Sequence, residues 1–210
     1  MPLPVQDERM ASASSQRSRA AAADVYLTDP DAAARSEFVA LARASRALHG
    51  RFVQAPDTPS AFAKYLQRCA ADDYQARWLR RSSDDALVGV FNISQIVAGC
   101  FQSAYLGYYA FAAHAGQGLM SVGLRLLLRE IFGRSPRRSK ALRLHRIEAN
   151  IQPDNTASIA LVQRCGFRKE GYSPRYLKIA GRWRDHERWA LLQEDFRSGA
   201  VASHRRSDAR

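Results

Sequence analysis

Two stretches of this 210-residue chain hold residues whose types and spacing could do chemistry. The first is AHAGQGLM, in which Gly116 and Gly118 sit one residue apart between a strand-like aromatic run, YLGYYAF, and a helix-like run, SVGLRLLLREIF. A glycine loop entering a helix leaves backbone N–H groups uncovered, and the helix N-terminus adds partial positive charge, so the pair suits an anion such as a phosphate. Taken alone, Gly-Gln-Gly fits a tight helix-entry turn at least as well. It is neither a P-loop, which needs Gly-Lys-Ser/Thr, nor a G-x-G-x-x-G fingerprint. The second stretch is RIEANIQPDNTASIALVQRCGF, with Glu148 in a strand, Asn155 and Ser158 at a helix start, and Cys-Gly-Phe at that helix's end. Asn155 there suits a helix cap, and Ser158 suits local capping of the first turn.

The elements that must position these residues can be read from period and punctuation. DVYLT is a first strand. TDPDAAARSEFVALARASRALHG is a helix with Asp29 as N-cap, Pro30 at its first position and Gly50 as its stop, and Thr58-Pro59 starts a second helix. YQARWLR, ALVGVFNISQIV and SAYLGYYAF are rich in branched and aromatic residues and read as antiparallel strands. A helix runs from Gly118 to about Phe132. RLHRIEANI is then a strand and DNTASIALVQRC a helix. GFRKEGY, RYLKIA and DHERWALLQ are three further strands, the last two joined at Gly181. This order describes a mixed α/β domain, in which ligands sit at strand C-termini beside such loops.

Composition bounds the rest. A chain of 210 residues, 46% of them apolar, suits one domain, assigned to residues 23–195 between a disordered extension at 1–22 and a basic disordered tail at 196–210. No apolar run is long enough to span a membrane and no secretory signal pattern is visible, so the reading is cytoplasmic. Cys69, Cys100 and Cys165 match no metal spacing and read as reduced core thiols. The net charge of +12 attracts polyanions without specifying one, and it is concentrated in the two ends and in GRSPRRSKALRLHR. Nucleic-acid contact from the tails is therefore incidental. His49, His114, His145 and His186 share no spacing with a carboxylate pair and stay outside the catalytic set; Trp78, Trp183 and Trp189 read as sheet packing.

Taken together, AGQGLM and the Glu148-to-Phe167 stretch at their mutual distance resemble the GNAT superfamily of acyl-CoA-dependent N-acetyltransferases. More narrowly, SRALHGRFV, YLGYYA and YLKIAGRWRDHERWALL are similar to segments of the branch that acetylates the N-terminal alanine or serine of ribosomal proteins. The resemblance covers about residues 24–194. It implies a mostly antiparallel sheet with flanking helices and splayed central strands, and acetyl-CoA as co-substrate with no metal. It also implies pyrophosphate binding by the backbone amides of Gly116, Gln117, Gly118, Leu119, Met120 and Ser121. Amides of Ala110 and Phe111 would face the pantetheine and the thioester oxygen, and Asn155 would bind the pantetheine amide. Glu148 aligns with the family's general base; a charge on a half-exposed strand is the plain alternative. The family's usual acid, a tyrosine, falls on Val162, which has no proton to give, so Ser158 takes the leaving-sulfur role. Ala115 and Met120 depart from the family's loop pattern of Gln/Arg-x-x-Gly-x-Gly/Ala.

An α-amine titrates near 7.7–8.0 and a lysine near 10.4, so at pH 7 about a tenth of the former is neutral against under a thousandth of the latter. A site with one base and no tyrosine acid suits an α-amine, which favours a protein or peptide N-terminus, such as that of a ribosomal protein, as the acceptor. The implied acceptor groove, about 44–59 and 176–188, carries Arg43, Arg46, Arg51, Arg182, Arg184 and Arg188. That charge also suits an acidic peptide or RNA. A GNAT enzyme for a small amine and a catalytically silent basic ribosome-associated module stand as alternatives, and monomer and homodimer are equally compatible.

Overall fold

A computed structural model of the chain describes residues 25–133 and 142–197. The extension, almost all of the tail and most of the basic loop discussed above lie outside the described residues. Strand β1 (Val25–Thr28) leads through a 3-10 turn (Ala32–Ala34) into α1 (Arg35–Ala44), α2 (Arg46–His49) and α3 (Pro59–Cys69). Strands β2 (Tyr74–Arg81), β3 (Leu87–Val97) and β4 (Ser103–Ala110) follow, then α4 (Leu119–Phe132), β5 (Arg146–Ile151) and α5 (Thr156–Arg164). The chain continues through β6 (Arg168–Ile179), β7 (Arg182–Leu192) and a short α6 (Gln193–Arg197). Phe196 packs on Phe132, with ring centroids 5.6 Å apart.

Local chemistry explains most boundaries. Thr58 Oγ1 accepts from the Ala61 amide at 3.1 Å and Pro59 opens α3, as the spacing predicts. The first helix corrects the sequence reading: Asp31, not Asp29, is the cap, its carboxylate accepting from the Ala33 amide at 2.8 Å. Asp29 is instead bound to the guanidinium of Arg77, whose side chain is only 7% exposed and which also pairs with Glu130 at 3.0 Å. A buried cation needs carboxylates, and that demand outweighs the local capping preference. The expected three late strands are two. GFRKEGY and RYLKIA form one strand, β6, whose register with β7 shifts twice, the second time across Pro174 and Arg175, the latter at φ 50. Strand β6 lies at the sheet's edge, where a proline without an N–H is tolerated.

The seven strands form one sheet in the order β1-β2-β3-β4-β5-β7-β6. Every neighbouring pair is antiparallel except β4 and β5, which run parallel and pair only at Ser103–Arg146, Ala104–Ile147 and Tyr105–Glu148. Beyond those pairs β4 continues to Ala110 and β5 to Ile151 without hydrogen bonds between them, so the sheet opens into a V. One face is sealed by α1 and α3 through Phe38, Phe62, Trp78, Leu87 and Phe111. The other is sealed by α4 and α5 through Leu79, Phe91, Leu124, Leu128, Ile147, Val162 and Trp189. Gly123 lets α4 approach the sheet: a Cβ there would stand 2.5 Å from Leu79 Cδ2.

Two of the three tryptophans, Trp78 and Trp189, are buried as expected, whereas Trp183 stands exposed near the β6–β7 turn. The thiols are free; Cys165 is buried and Cys69 half-buried, but Cys100 is exposed and is not a core residue.

Candidate active site

The loop AHAGQGLM lies where β4 leaves the sheet. After a 3-10 turn at Ala112–His114, Gly116 (φ 74) and Gly118 (φ 78) both adopt left-handed backbone, Gly118 as the N-cap of α4. A Cβ on either would meet nothing within 4 Å, so what requires glycine here is the backbone conformation together with open space in front of it. The amides of Gly116, Gln117, Gly118, Leu119 and Met120 have no acceptor among the described residues. The Ser121 amide, expected to join them, is turned back onto the Gly118 carbonyl at 3.0 Å, so five donors remain rather than six. Gln117 contributes backbone only, since its side chain donates to the Ala113 carbonyl at 3.1 Å. Met120 turns toward the sheet over Gly89, where an added Cβ would lie 2.6 Å from its Sδ; a large residue at this position therefore leaves the amide face clear.

Gly116, Gly118, Leu119 and Met120 of this set line a cavity of about 670 Å³, whose other wall is the start of α5. Asn155 caps that helix, its Oδ1 accepting from the Ser158 amide at 3.2 Å, and both residues line the cavity. The floor is the opened edge of β4. In an antiparallel ladder, residues alternate between bonding the partner and facing away from it. Phe111 N–H donates to the Val88 carbonyl at 2.9 Å, so its neighbour Ala110 points its amide into the V, and the Ala110 carbonyl accepts from His49 Nε2 at 2.9 Å. Of the two amides expected to meet a thioester, Ala110's is therefore available. Phe111's is spent within the sheet and its ring is fully buried, which corrects that assignment.

Two hydroxyls link β4 to the first turn of α5. Tyr108 Oη and Ser158 Oγ lie 2.5 Å apart, and Tyr108 also donates to the Ser158 carbonyl at 3.2 Å. Burial pushes the Tyr108 phenol well above its ordinary range of about 10, only partly offset by the Ser158 hydrogen bond, so the group stays protonated and able to donate. Sequence reading assigned Ser158 and missed Tyr108. Its signal was parity along YLGYYA, where Tyr108 shares its strand edge with Ala110, but nothing local says that this edge is unpaired.

Tyr108 and Ser158 also line a second cavity of about 240 Å³ on the far side of the gap. Phe52, Val53 and Gln54 from the segment after α2, Asn150 and Gln152 from β5 and its end, and His186 from β7 complete it, and no carboxylate is among its lining residues. Of the six arginines expected to make this region basic, two are paired with a carboxylate among the described residues, Arg46 and Arg51. Arg46 pairs with Asp57 at 2.6 Å, Arg43 Nε donates to the Asp57 carbonyl at 2.8 Å, and Arg51 pairs with Asp154. The Arg46 guanidinium, by hydrogen bond first, holds the Asp57 carboxyl below its ordinary range. Glu148 is not brought to either cavity. It sits at the closed end of the V, opposite Tyr105, with one carboxylate oxygen accepting from Arg146 Nε at 2.7 Å.

The described residues contain no cluster of metal-binding side chains and no helix long and apolar enough to cross a membrane. Residues 25–168 match the acetyltransferase (GNAT) domain model. A probable N-acetyltransferase of Bacillus subtilis, YjcK, is 36% identical over 132 residues, spanning 63% of this chain and 69% of that protein. The [ribosomal protein uS5]-alanine N-acetyltransferase of Escherichia coli is 40% identical over 113 residues, and the match spans about half of each chain, 54% and 55%. Among solved structures, Mycobacterium smegmatis RimJ in complex with CoA-disulfide superposes with a TM-score of 0.72 at 25% identity, over 81% of this chain and 83% of that one. The fold is shared as well with Vibrio cholerae spermidine N-acetyltransferase in complex with CoA and spermine, with a TM-score of 0.68 at 19% identity over 83% of this chain and 98% of that one.

Proposed function

Because the chain belongs to the GNAT acetyltransferase family and is an acetyl-CoA-dependent N-acetyltransferase, we propose that its acceptor is the α-amine at a protein N-terminus, an alanine- or serine-initiated one such as that of a ribosomal protein. The observation that carries this reading is the second cavity, a neutral, carboxylate-free pocket that meets the first at the Tyr108–Ser158 hydroxyl pair. A polyamine carries several positive charges and would need carboxylates in the pocket to offset their desolvation. A single α-amine, partly neutral at pH 7, does not. The related uS5-alanine enzyme supports the same acceptor class.

Each part of the first cavity has a role in this reading. The five free amides at the start of α4 hold the CoA pyrophosphate, aided by the helix N-terminus. The Ala110 amide and the cap residue Asn155 meet the pantetheine arm in the V, which places the thioester at the junction of the two cavities. The amine nitrogen attacks the thioester carbonyl carbon, a C–N bond forms and the C–S bond breaks. The departing thiolate takes a proton from the Tyr108–Ser158 pair, a role first assigned to Ser158 alone. One positioned hydroxyl donor in such a step contributes about 10²-fold or more. The Ala110 amide, aimed at the same junction, offers a hydrogen bond to the oxyanion.

The test is calorimetric titration with acetyl-CoA, then thiol release with Ala-initiated and Ser-initiated peptides beside spermidine. Peptide-dependent release with spermidine inert is the expected result. Release with spermidine and not with peptides would refute the acceptor class, and no binding of acetyl-CoA would refute the assignment of the loop.

A further inference from the structure

The proposed reaction leaves one proton unassigned, the one that the acceptor nitrogen must lose. Glu148, the family-based choice, lines neither cavity and is tied to Arg146. The second cavity does hold a titratable group, His186. It is 3% exposed and lies on β7, on the strand face opposite to that of the core residues Trp189 and Leu191. Its Nδ1 lies 2.9 Å from the Arg184 carbonyl, and a carbonyl can only accept, so Nδ1 carries the hydrogen. In the neutral ring Nε2 is then the bare lone pair, and no described group bonds to it. A backbone bond at Nδ1 that fixes the tautomer and presents Nε2 is what a proton acceptor requires. Beside it Asn150 Oδ1 is buried with no hydrogen-bond partner, in the wall of the same cavity. A buried carbonyl oxygen left unpaired is costly unless a donor arrives, and an amine N–H is such a donor.

We infer that the second cavity is the amine seat, in which Asn150 Oδ1 accepts one N–H of the incoming amine and His186 Nε2 takes the proton that its nitrogen loses as the C–N bond forms. This inference rests on the acetyl-transfer reading and extends it to residues that sequence reasoning set aside. Protons balance: the ring gains one from nitrogen and later releases it to solvent, while the thiolate takes one from the Tyr108–Ser158 pair, which is re-protonated from solvent. The ring's surroundings are mixed in charge. On β7, Arg184 and Arg188 share its side of the strand and Asp185 adjoins it; on β6, Tyr176 packs at 6.3 Å between ring centroids and Arg175 binds Asp185 through its amide. Strand β5 brings Glu148 with its partner Arg146, β4 the neutral phenols of Tyr108 and Tyr109, and the cavity-lining Phe52, Val53 and Gln54 no charge, while Arg51 beside them is paired with Asp154. Burial is the largest influence and lowers the His186 pKa below its ordinary 6.5, against smaller raising effects of the Arg184 carbonyl and Asp185. The ring is therefore neutral, and able to accept a proton, at pH 7.

The experiment measures kcat against pH for wild type, His186→Gln, His186→Ala, Asn150→Ala and Glu148→Gln. The acceptor is whichever of an Ala-initiated peptide, a Ser-initiated peptide and spermidine wild type acetylates fastest, so a wrong acceptor class refutes the proposed function without touching this assignment. Wild type should show an acid limb below pH 6.5, rising with pH as the ring loses its proton. His186→Gln should lose about 10²-fold in kcat together with that limb, with acetyl-CoA affinity unchanged as the check on folding. Asn150→Ala should act mainly on the acceptor KM. Added imidazole should restore part of the rate to His186→Ala, which repair of a merely structural defect would not do. An unchanged kcat in His186→Gln, a retained acid limb, or a large loss confined to Glu148→Gln would overturn the assignment.

Discussion

Replacing Tyr108 by phenylalanine removes one oxygen atom from the junction of the two cavities and leaves the ring, which tilts against Phe91 at 6.4 Å between centroids, in place. Two hydrogen bonds go with it, the 2.5 Å contact with Ser158 Oγ and the 3.2 Å contact with the Ser158 carbonyl. A net hydrogen bond contributes about 0.5–1.5 kcal/mol, and the Ser158 carbonyl keeps its place as an α5 acceptor, so stability should fall by about 1 kcal/mol. For a domain of this size that is a Tm decrease of about 2–4 °C. The kinetic effect should be larger. If the phenol supplies the proton to the departing thiolate, its loss costs about 10²-fold in kcat, equivalent to about 2.7 kcal/mol. Ser158→Ala should cost less, because the phenol can still reach the sulfur. The double variant should be little slower than Tyr108→Phe alone, since the two hydroxyls act as one unit. Stopped thiol-release assays at saturating acetyl-CoA, with a calorimetric Kd for each variant, separate chemistry from binding. A Tyr108→Phe enzyme with unchanged kcat, or one whose only defect is weaker CoA binding, would refute the leaving-group assignment.

Further expectations can be checked with standard tools. Gly118→Val forces a β-branched residue into φ 78 at the N-cap of α4 and should raise the acetyl-CoA Kd by about tenfold or more, read by titration; unaltered affinity would separate the loop from the pyrophosphate. Gly123→Ala places a methyl 2.5 Å from Leu79 Cδ2 and should destabilise the fold by about 1–3 kcal/mol in denaturant titration while leaving the CoA Kd alone. Arg77→Met removes a buried guanidinium that pairs with Asp29 and Glu130, whose side chains are 67% and 32% exposed, and should lower stability by about 1 kcal/mol in denaturant titration. At the β2–β3 turn, Arg81 holds Asp84 down at about 2, by hydrogen bond first. A depressed carboxyl favours the folded state above its unfolded value of 3.8, so this contribution is present at neutral pH and fades as pH falls through 3.8 toward 2. In Arg81→Gln, carbon-detected titration should show Asp84 returning toward 3.8, and an unmoved value would contradict the pairing.

Much of this architecture is legible in residue order because its cues are local. Thr58-Pro59, the paired glycines of the loop and the Asn155 cap each state their geometry within a few positions, and the structure places all three where the sequence puts them. What escapes local reading depends on distant partners. Asp29 looks like a cap until Arg77, 48 residues on, claims it. Pro174 looks like a strand break until β6 proves to be an edge strand that can bulge around it. Tyr108 and His186 acquire meaning only from the V, and the V exists because two strands that never adjoin in sequence pair at three positions and no further. Glu148 illustrates the reverse: its place in the motif is plain, yet the neighbouring Arg146 and the closed end of the V keep it from the cavities.

Those three residue pairs between β4 and β5 have a mechanical consequence. Four strands lie on one side of the seam and three on the other, and the backbone ladder joining them uses three residues of the eight in β4 and three of the six in β5. The hydrophobic cluster under α4 and α5 draws residues from both sides of it, Phe91 and Leu106 from one and Ile147 and Trp189 from the other. A pantetheine arm lying in the V would act as a temporary eighth strand, bridging the two half-sheets where the protein itself leaves them unjoined. Cofactor loading then becomes a stiffening event: hydrogen exchange at Leu106–Ala110 and Ala149–Ile151 should slow on binding by more than at the distant β1–β2 edge, and the molecule should be at its most compliant between turnovers, when product leaves and the seam is open.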